Sequence, residues 1–225
     1  MAELERILRL LKEGRIDREE AERLIAALGE AAPAAREAGR LFLDVDRADV
    51  VVRPARGGEV TAAAHGEGRL ELEQEGGEAR LRFRAAGARG FGPIRLVGLG
   101  GKASRIEVGL PAGWGAVLKL GMGAFEAGAL GFLEGEVGLG TVAVEGLLGL
   151  DLKLGKGRFS AGLALAEGEH RVAVGMGEVA IRPLPGASFR VEGRVGTGRV
   201  EARVFGEGRA RLLVEIGVGR LEVGA

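Results

Sequence analysis

The chain has 225 residues, 46% of them hydrophobic, which is enough to build a core and argues against a disordered protein. Lys+Arg and Asp+Glu number 32 each, so net charge is zero and the basic surplus of a nucleic-acid binder is missing. Cysteine is absent, which removes disulfide and thiol chemistry.

The first residues, Met1-Ala-Glu-Leu-Glu-Arg, are acidic where a secretory leader would be basic. The longest apolar run, residues 137–150, is interrupted by Glu145 and is too short to span a bilayer. The expectation is a cytoplasmic protein with no integral membrane segment. Asparagine is absent and Gln74 is the sole glutamine, a loss of thermolabile amides that fits a thermophile.

Residues 2–13 read as an amphipathic helix, with Leu4, Ile7, Leu8 and Leu11 on one face. Gly14 suits the position after its end. Asp17 and Glu20 form a capping box for a second helix, which carries Leu24, Ile25 and Leu28 on one face and stops at Gly29. Residues 1–29 are thus expected to be a helical hairpin. Two helices this short bury too little to be stable alone, so their apolar faces form a candidate interaction surface. Residues 30–40 carry no periodic pattern and read as a linker.

From residue 41 the apolar period becomes two. Strands are expected at 41–45, 50–53, 60–64, 70–73, 81–84 and 105–110, punctuated by Gly57-Gly58, Gly66 and Gly68, and Gly76-Gly77. Residues 85–104 are rich in glycine and alanine and fit neither period.

Residues 118–225 then repeat one unit six times: apolar, Gly-x-Gly, variable, apolar. The glycine pairs are Gly121 and Gly123, Gly138 and Gly140, Gly155 and Gly157, Gly175 and Gly177, Gly196 and Gly198, and Gly217 and Gly219. The first glycines lie 17, 17, 20, 21 and 21 residues apart, a period that belongs to solenoid architectures. Leu118, Leu120 and Met122 share one parity, while Phe125 and Ala127 share the other. A strand can place both sets inside only if it bends between them, and glycine tolerates the bend. Each Gly-x-Gly is therefore expected to be a structural corner joining two strands that face one core. The expected fold is mainly β: a parallel β-solenoid of about 17–21 residues per coil over 41–225, less regular over 41–110, preceded by the helical hairpin.

The glycine pairs are not phosphate loops, since no Gly-x-Gly-x-x-Gly fingerprint or P-loop lysine follows any of them. Calcium-binding glycine repeats need carboxylates, and Asp151 is the only aspartate in the repeat region. His65 and His170 have no second ligand at metal-binding spacing and read as loop histidines. No serine stands in a nucleophile elbow. Glu126, Glu201 and Glu222 occupy one repeat position and form a candidate acidic stripe. Trp114, flanked by turn residues, is expected to cap one end of the solenoid or to be a contact residue. No catalytic, cofactor or metal residues are identified.

Leu11-Lys-Glu-Gly-Arg-Ile-Asp-Arg-Glu-Glu-Ala21, followed by Leu24 and Leu28, resembles the short N-terminal hairpin of the putative-adhesin-like bacterial family. The segment Arg105-Ile-Glu-Val-Gly-Leu-Pro111 and the Val-Gly-x-Gly-x-Val units after it are similar to that family's β-solenoid domain. The family usually carries Ser-Gly-Asp at its corners, and the aspartate is missing here. The resemblance implies a non-enzymatic β-solenoid, in some members linked to envelope-stress responses of Gram-positive bacteria. A weaker resemblance is to bactofilins, β-helices that polymerise end to end but lack the hairpin.

The functional expectation is a non-enzymatic scaffold or protein-interaction module that self-associates as a homo-oligomer, with a further protein partner at the hairpin, no cofactor and no nucleic acid. Its motive is the last repeat, which runs to the end of the chain without a polar cap. The alternative is a carbohydrate-binding or carbohydrate-acting β-helix protein, which would need clustered carboxylates in a cleft.

Overall fold

The computed structural model describes residues 39–55, 58–86, 104–128, 130–202 and 209–224, the side chains of 201 and 202 excepted. The hairpin and its surface (Leu4, Ile7, Leu8, Leu11, Leu24, Ile25, Leu28) lie outside the described residues, as does the linker up to residue 38. The chain divides into two compact units, Met1–Glu37 and Ala38–Ala225, and the described residues all belong to the second.

That unit is mainly β. Its strands are β1 (Arg40–Arg47), β2 (Asp49–Pro54), β3 (Thr61–His65), β4 (Gly68–Glu75), β5 (Glu78–Ala85), β6 (Arg105–Leu110), β7 (Gly115–Gly128), β8 (Phe132–Leu147), β9 (Gly149–Leu163), β10 (Gly168–Pro183), β11 (Phe189–Ala202) and β12 (Ala210–Val223). All twelve belong to one sheet, and most pairings are parallel. β1 begins at Arg40, one residue inside the expected linker.

The register shows how a sheet of consecutive parallel strands can be joined by such short links. β8 ends at Leu147 and β9 starts at Gly149, yet Phe132 at the start of β8 pairs with Gly149. Sixteen extended residues would reach about 50 Å, far more than one linking residue can span. The strand must therefore bend back on itself. The buried positions show where: Leu118 and Leu120 are buried before the glycines of β7, and Phe125 and Ala127 after them, a parity slip of one residue. The same slip recurs in β8, β9, β10 and β12.

Both glycines of each pair are required by the stacking. The second glycine has φ between +141° and +158° at residues 123, 140, 157, 177, 198 and 219. A Cβ on Gly157 would sit 1.7 Å from the carbonyl oxygen of Gly140 in the layer before it, and one on Gly155 would sit 2.5 Å from the Gly138 oxygen. Backbone packs directly on backbone there, so any side chain must displace a whole strand.

The strand order is not the chain order. Across the sheet it runs β11-β12-β10-β9-β8-β7-β1-β5-β4, with β2 and β6 continuing the layers begun by β1 and β5. β12 thus lies between β10 and β11, paired in parallel with both. This corrects the expectation that the last repeat forms an open end: the outermost layer is β11. The physical reason lies in the inward side chains. β12 supplies Leu212, Val214, Ile216 and Leu221, all at most 3% exposed, where β11 supplies Val191, Gly193, Val195 and Val200. Placing β12 inside covers the bulkier set on both sides, at roughly 25 cal/mol for each Å² removed from water. At the other end β3 and β4 pair antiparallel to β6 and β5 and close the stack with a layer running the opposite way.

One row of inward residues threads the layers as Val50, Phe125, Val142, Phe159, Val179, Leu221 and Val200. The first six are at most 1% exposed, whereas Val200 on the outer layer is 46% exposed. Phenylalanine and valine alternate along most of the row, so large side chains fill space that small neighbours leave.

Trp114 does not cap an end. It is half-buried in the turn between β6 and β7 and lies over Gly39, where a Cβ would come within 2.2 Å of its ring, beside the middle layers of the stack.

Two glycine substitutions separate corner strain from the mere loss of a glycine. Gly157→Ala is expected to lower stability by roughly 2–5 kcal/mol, combining a disfavoured positive φ with a backbone clash. Gly128→Ala, where a Cβ would meet nothing within 4 Å, is expected to change it by less than about 0.5 kcal/mol. Urea unfolding followed by circular dichroism measures both.

Candidate interaction surfaces

Three features of the outer surface carry chemistry: the corner ridge, a groove beyond it, and the ion pairs stitching neighbouring layers.

The middle residues of the Gly-x-Gly units point away from the core and stack in register as Met122, Leu139, Lys156, Met176, Val218 and Thr197. Met122 is 39% exposed, Leu139 45%, Met176 47% and Val218 46%, and these are four of the six large exposed hydrophobic side chains among the described residues. They form one straight ridge, because parallel in-register stacking repeats each position every ~4.8 Å. One row flanking the ridge holds Lys119, Glu136, Lys153, Ala173, Glu215 and Arg194; the other holds Ala124, Thr141, Arg158, Glu178, Arg220 and Arg199. Parity with Leu118 and Leu120 predicts Met122 inside, and the structure corrects this, since Met122 faces out. Its exposure is decided by the bend at the glycines.

The groove lies on the outer face after the second glycine and has a volume of about 570 Å³. Its floor is small: Ala143, Ser160 and Ala180 stack in one row between Glu126 and Glu222. In the adjoining row Arg182 donates from one nitrogen to both carboxylate oxygens of Glu145, at 2.8 and 2.9 Å. Gly162 lies between them, and a Cβ there would come within 1.9 Å of Glu145 Oε2. Of the stripe expected from the repeats, Glu126 and Glu222 are four layers apart, and Glu201 lies next to Glu222. No aromatic side chain lines the groove among the described residues.

Ion pairs alternate in sign across the layers. Arg82, Asp44, Lys119, Glu136 and Lys153 follow one another along one row. Parallel in-register stacking would place like charges about 5 Å apart if the repeats were identical, so alternation turns repulsion into weak attraction. Lys153 Nζ reaches Glu136 Oε1 at 3.1 Å, and Arg158 reaches Glu178 at 2.8 Å. Arg211 bridges Glu169 and Glu192, tying β10, β12 and β11 together. Near the opposite end Arg84 grips Asp44 through two nitrogens, at 2.6 and 3.1 Å, and also reaches Asp46 at 3.1 Å. The Arg84 hydrogen bonds hold the Asp44 carboxyl below its ordinary value, against the opposing effect of burial, and Asp44 in turn raises Arg84.

The histidines stand apart. His170 is half-buried at the start of β10, where Nδ1 accepts from the Leu150 amide at 3.3 Å and Nε2 lies 3.0 Å from the Ala166 carbonyl oxygen. It therefore ties backbone segments together rather than standing free in a loop. His65 ends β3 and is exposed. Among the described residues no group of three His, Cys, Asp or Glu is placed to hold a metal ion, and no helix is long and apolar enough to cross a membrane.

The stability contributed by Asp44 follows from its lowered pKa. It is fully present above the carboxylate's unfolded value of about 3.9 and is lost as pH falls through the lower folded value. Asp44→Asn is expected to cost less than about 1 kcal/mol at neutral pH, because the pair is partly exposed. Its stability curve should converge with that of the parent as pH falls through that lowered folded value, measured by urea unfolding across pH.

Comparisons with known proteins bear on both ends of the chain. Residues 3–31 match a SHOCT-like domain family, the segment read as a helical hairpin. No curated protein matches the chain. The fold is similar to the crystal structure of a putative cell adhesion protein from Clostridium sporogenes ATCC 15579, with a TM-score of 0.57 and 16% identity over 85% of this chain and 94% of that one. Neither match is a bactofilin. At 16% identity the second likeness establishes a shared fold and nothing of function.

Proposed function

We propose that the protein is a non-enzymatic scaffold, a β-solenoid that self-associates through the outer edge of β11, with the SHOCT-like segment as a separate contact module. The observation that carries the reading is the unfinished outer layer. β11 pairs with β12 on one side, and among the described residues nothing pairs with its other edge. Val200 on that layer is 46% exposed, although the six residues it continues inward are at most 1% exposed. An open strand edge beside exposed apolar surface is a template for a second chain. Arg190, Glu192 and Arg194 alternate in sign along the same edge and restrict which partner can add to it. The similarity to a putative cell adhesion protein supports an interaction role, and the expected envelope link rests on the family resemblance alone.

A second reading, carbohydrate binding or turnover, is favoured by the groove with Glu126, Glu145 and Glu222. Against it, Glu126 and Glu222 lie about 19 Å apart by layer spacing. That exceeds the ~5–10 Å of paired catalytic carboxylates. Glu145 is already engaged by Arg182.

The test is multi-angle light scattering coupled to size-exclusion chromatography, on the full chain and on a chain starting at Ala38. That start keeps Gly39, whose carbonyl accepts from the Gly115 amide at 3.1 Å. Association of both chains, abolished by Val200→Lys, is the expected result. Association of the full chain alone would assign it to the SHOCT-like segment. A full chain that stays monomeric at high concentration overturns the self-associating scaffold.

A further inference from the structure

The corner ridge is not used by an edge-to-edge scaffold, and its make-up calls for a partner of its own. Four of its six residues are large, apolar and about 40–50% exposed, against the usual scatter of single exposed hydrophobics. The two flanking rows and the ridge together hold seven basic residues and three acidic ones, a surplus of four positive charges on a chain whose net charge is zero. The basic residues are long side chains that can lie along apolar surface while keeping their charge in a polar layer.

Shape narrows the partner further. The strands bend at the glycines with the core inside the bend, so the ridge is convex. It runs about 24 Å across six layers. Apolar side chains on a convex line, with cations to either side, cannot be enclosed by a flat protein surface. A fluid, anionic surface can deform round them. The apolar tips then enter the headgroup–acyl boundary, and each flanking cation near an anionic leaflet adds electrostatic attraction.

We propose that this ridge is a peripheral membrane-contact edge, inserting Met122, Leu139, Met176 and Val218 shallowly into an anionic lipid surface. The inference stands independently of self-association through β11.

The test is flotation of the full chain with vesicles of phosphatidylcholine alone and of equimolar phosphatidylcholine and phosphatidylglycerol. The expected result is binding to the mixed vesicles only, weakened by salt as surface electrostatics are screened. The double variant Leu139→Glu with Met176→Glu should reduce that binding at least roughly tenfold, since it replaces two inserting groups by anions. Lys156→Glu, a single exposed change on the same ridge, should reduce it several-fold and guards against misfolding of the double variant. Leu72→Glu, an exposed apolar residue on β4 away from the ridge, should leave it unchanged. No flotation with mixed vesicles, equal flotation with phosphatidylcholine alone, or equal loss in Leu72→Glu would each overturn the proposal. Retained flotation of both ridge variants would overturn it as well.

Discussion

The structure depends on one close contact: the second glycine of each repeat lying on the carbonyl of the layer before it. A Cβ there would be 1.7 to 1.9 Å from that oxygen in every layer from β7 to β12. The contact lets the layers approach at sheet spacing while the strand turns, so that residues on both sides of the turn reach one core. The constraint has a direction. The β1–β2 layer turns through Asp46, Arg47, Ala48 and Asp49 with no glycine and supplies the first carbonyl of the series: Gly123 meets the Ala48 carbonyl, and the Ala124 amide donates to Asp49 Oδ1.

From that contact follow both the ridge and the rows of charge. Turning the chain with the core inside forces the middle residue of each unit outward, whatever its polarity. In-register stacking then multiplies each outward choice along a line. Repetition is a hazard when the choice is a charge and a resource when it is an apolar group. The charged rows deal with the hazard by alternating Arg82, Asp44, Lys119, Glu136 and Lys153. The ridge is left apolar at four of its six positions.

The ends of the stack are handled differently from the middle. At one end the antiparallel β3–β4 layer carries modest inward groups, Ala62, Ala64, Leu70 and Leu72. At the other, β11 is placed outside β12 although it precedes it in the chain. In both cases the outer position falls to the layer with the smaller inward side chains, which minimises the apolar area left to water. Leu221 of β12 fills part of the space over Gly193, where a Cβ would come within 2.3 Å of its Cδ2.

Strand content from residue 41 onward, the six-fold repeat and most of the inward-facing residues are legible in the residues alone, because period-two alternation and its slip across Gly-x-Gly are local signals. The apolar ridge is not: Met122 shares the parity of Leu118 and Leu120 and reads as inward, and only the turn at the glycines leaves it exposed. Layer order is not legible either, nor is the identity of the repeat left at the edge. Repeats that share a backbone geometry are interchangeable locally. Their order is settled by the summed burial of side chains such as Leu212 and Ile216 between neighbours far apart in the chain, a quantity no window of sequence contains. The groove is invisible to a sequence reading for the same reason: Gly162 permits the Glu145–Arg182 pair only because β8 and β10 are placed on either side of β9.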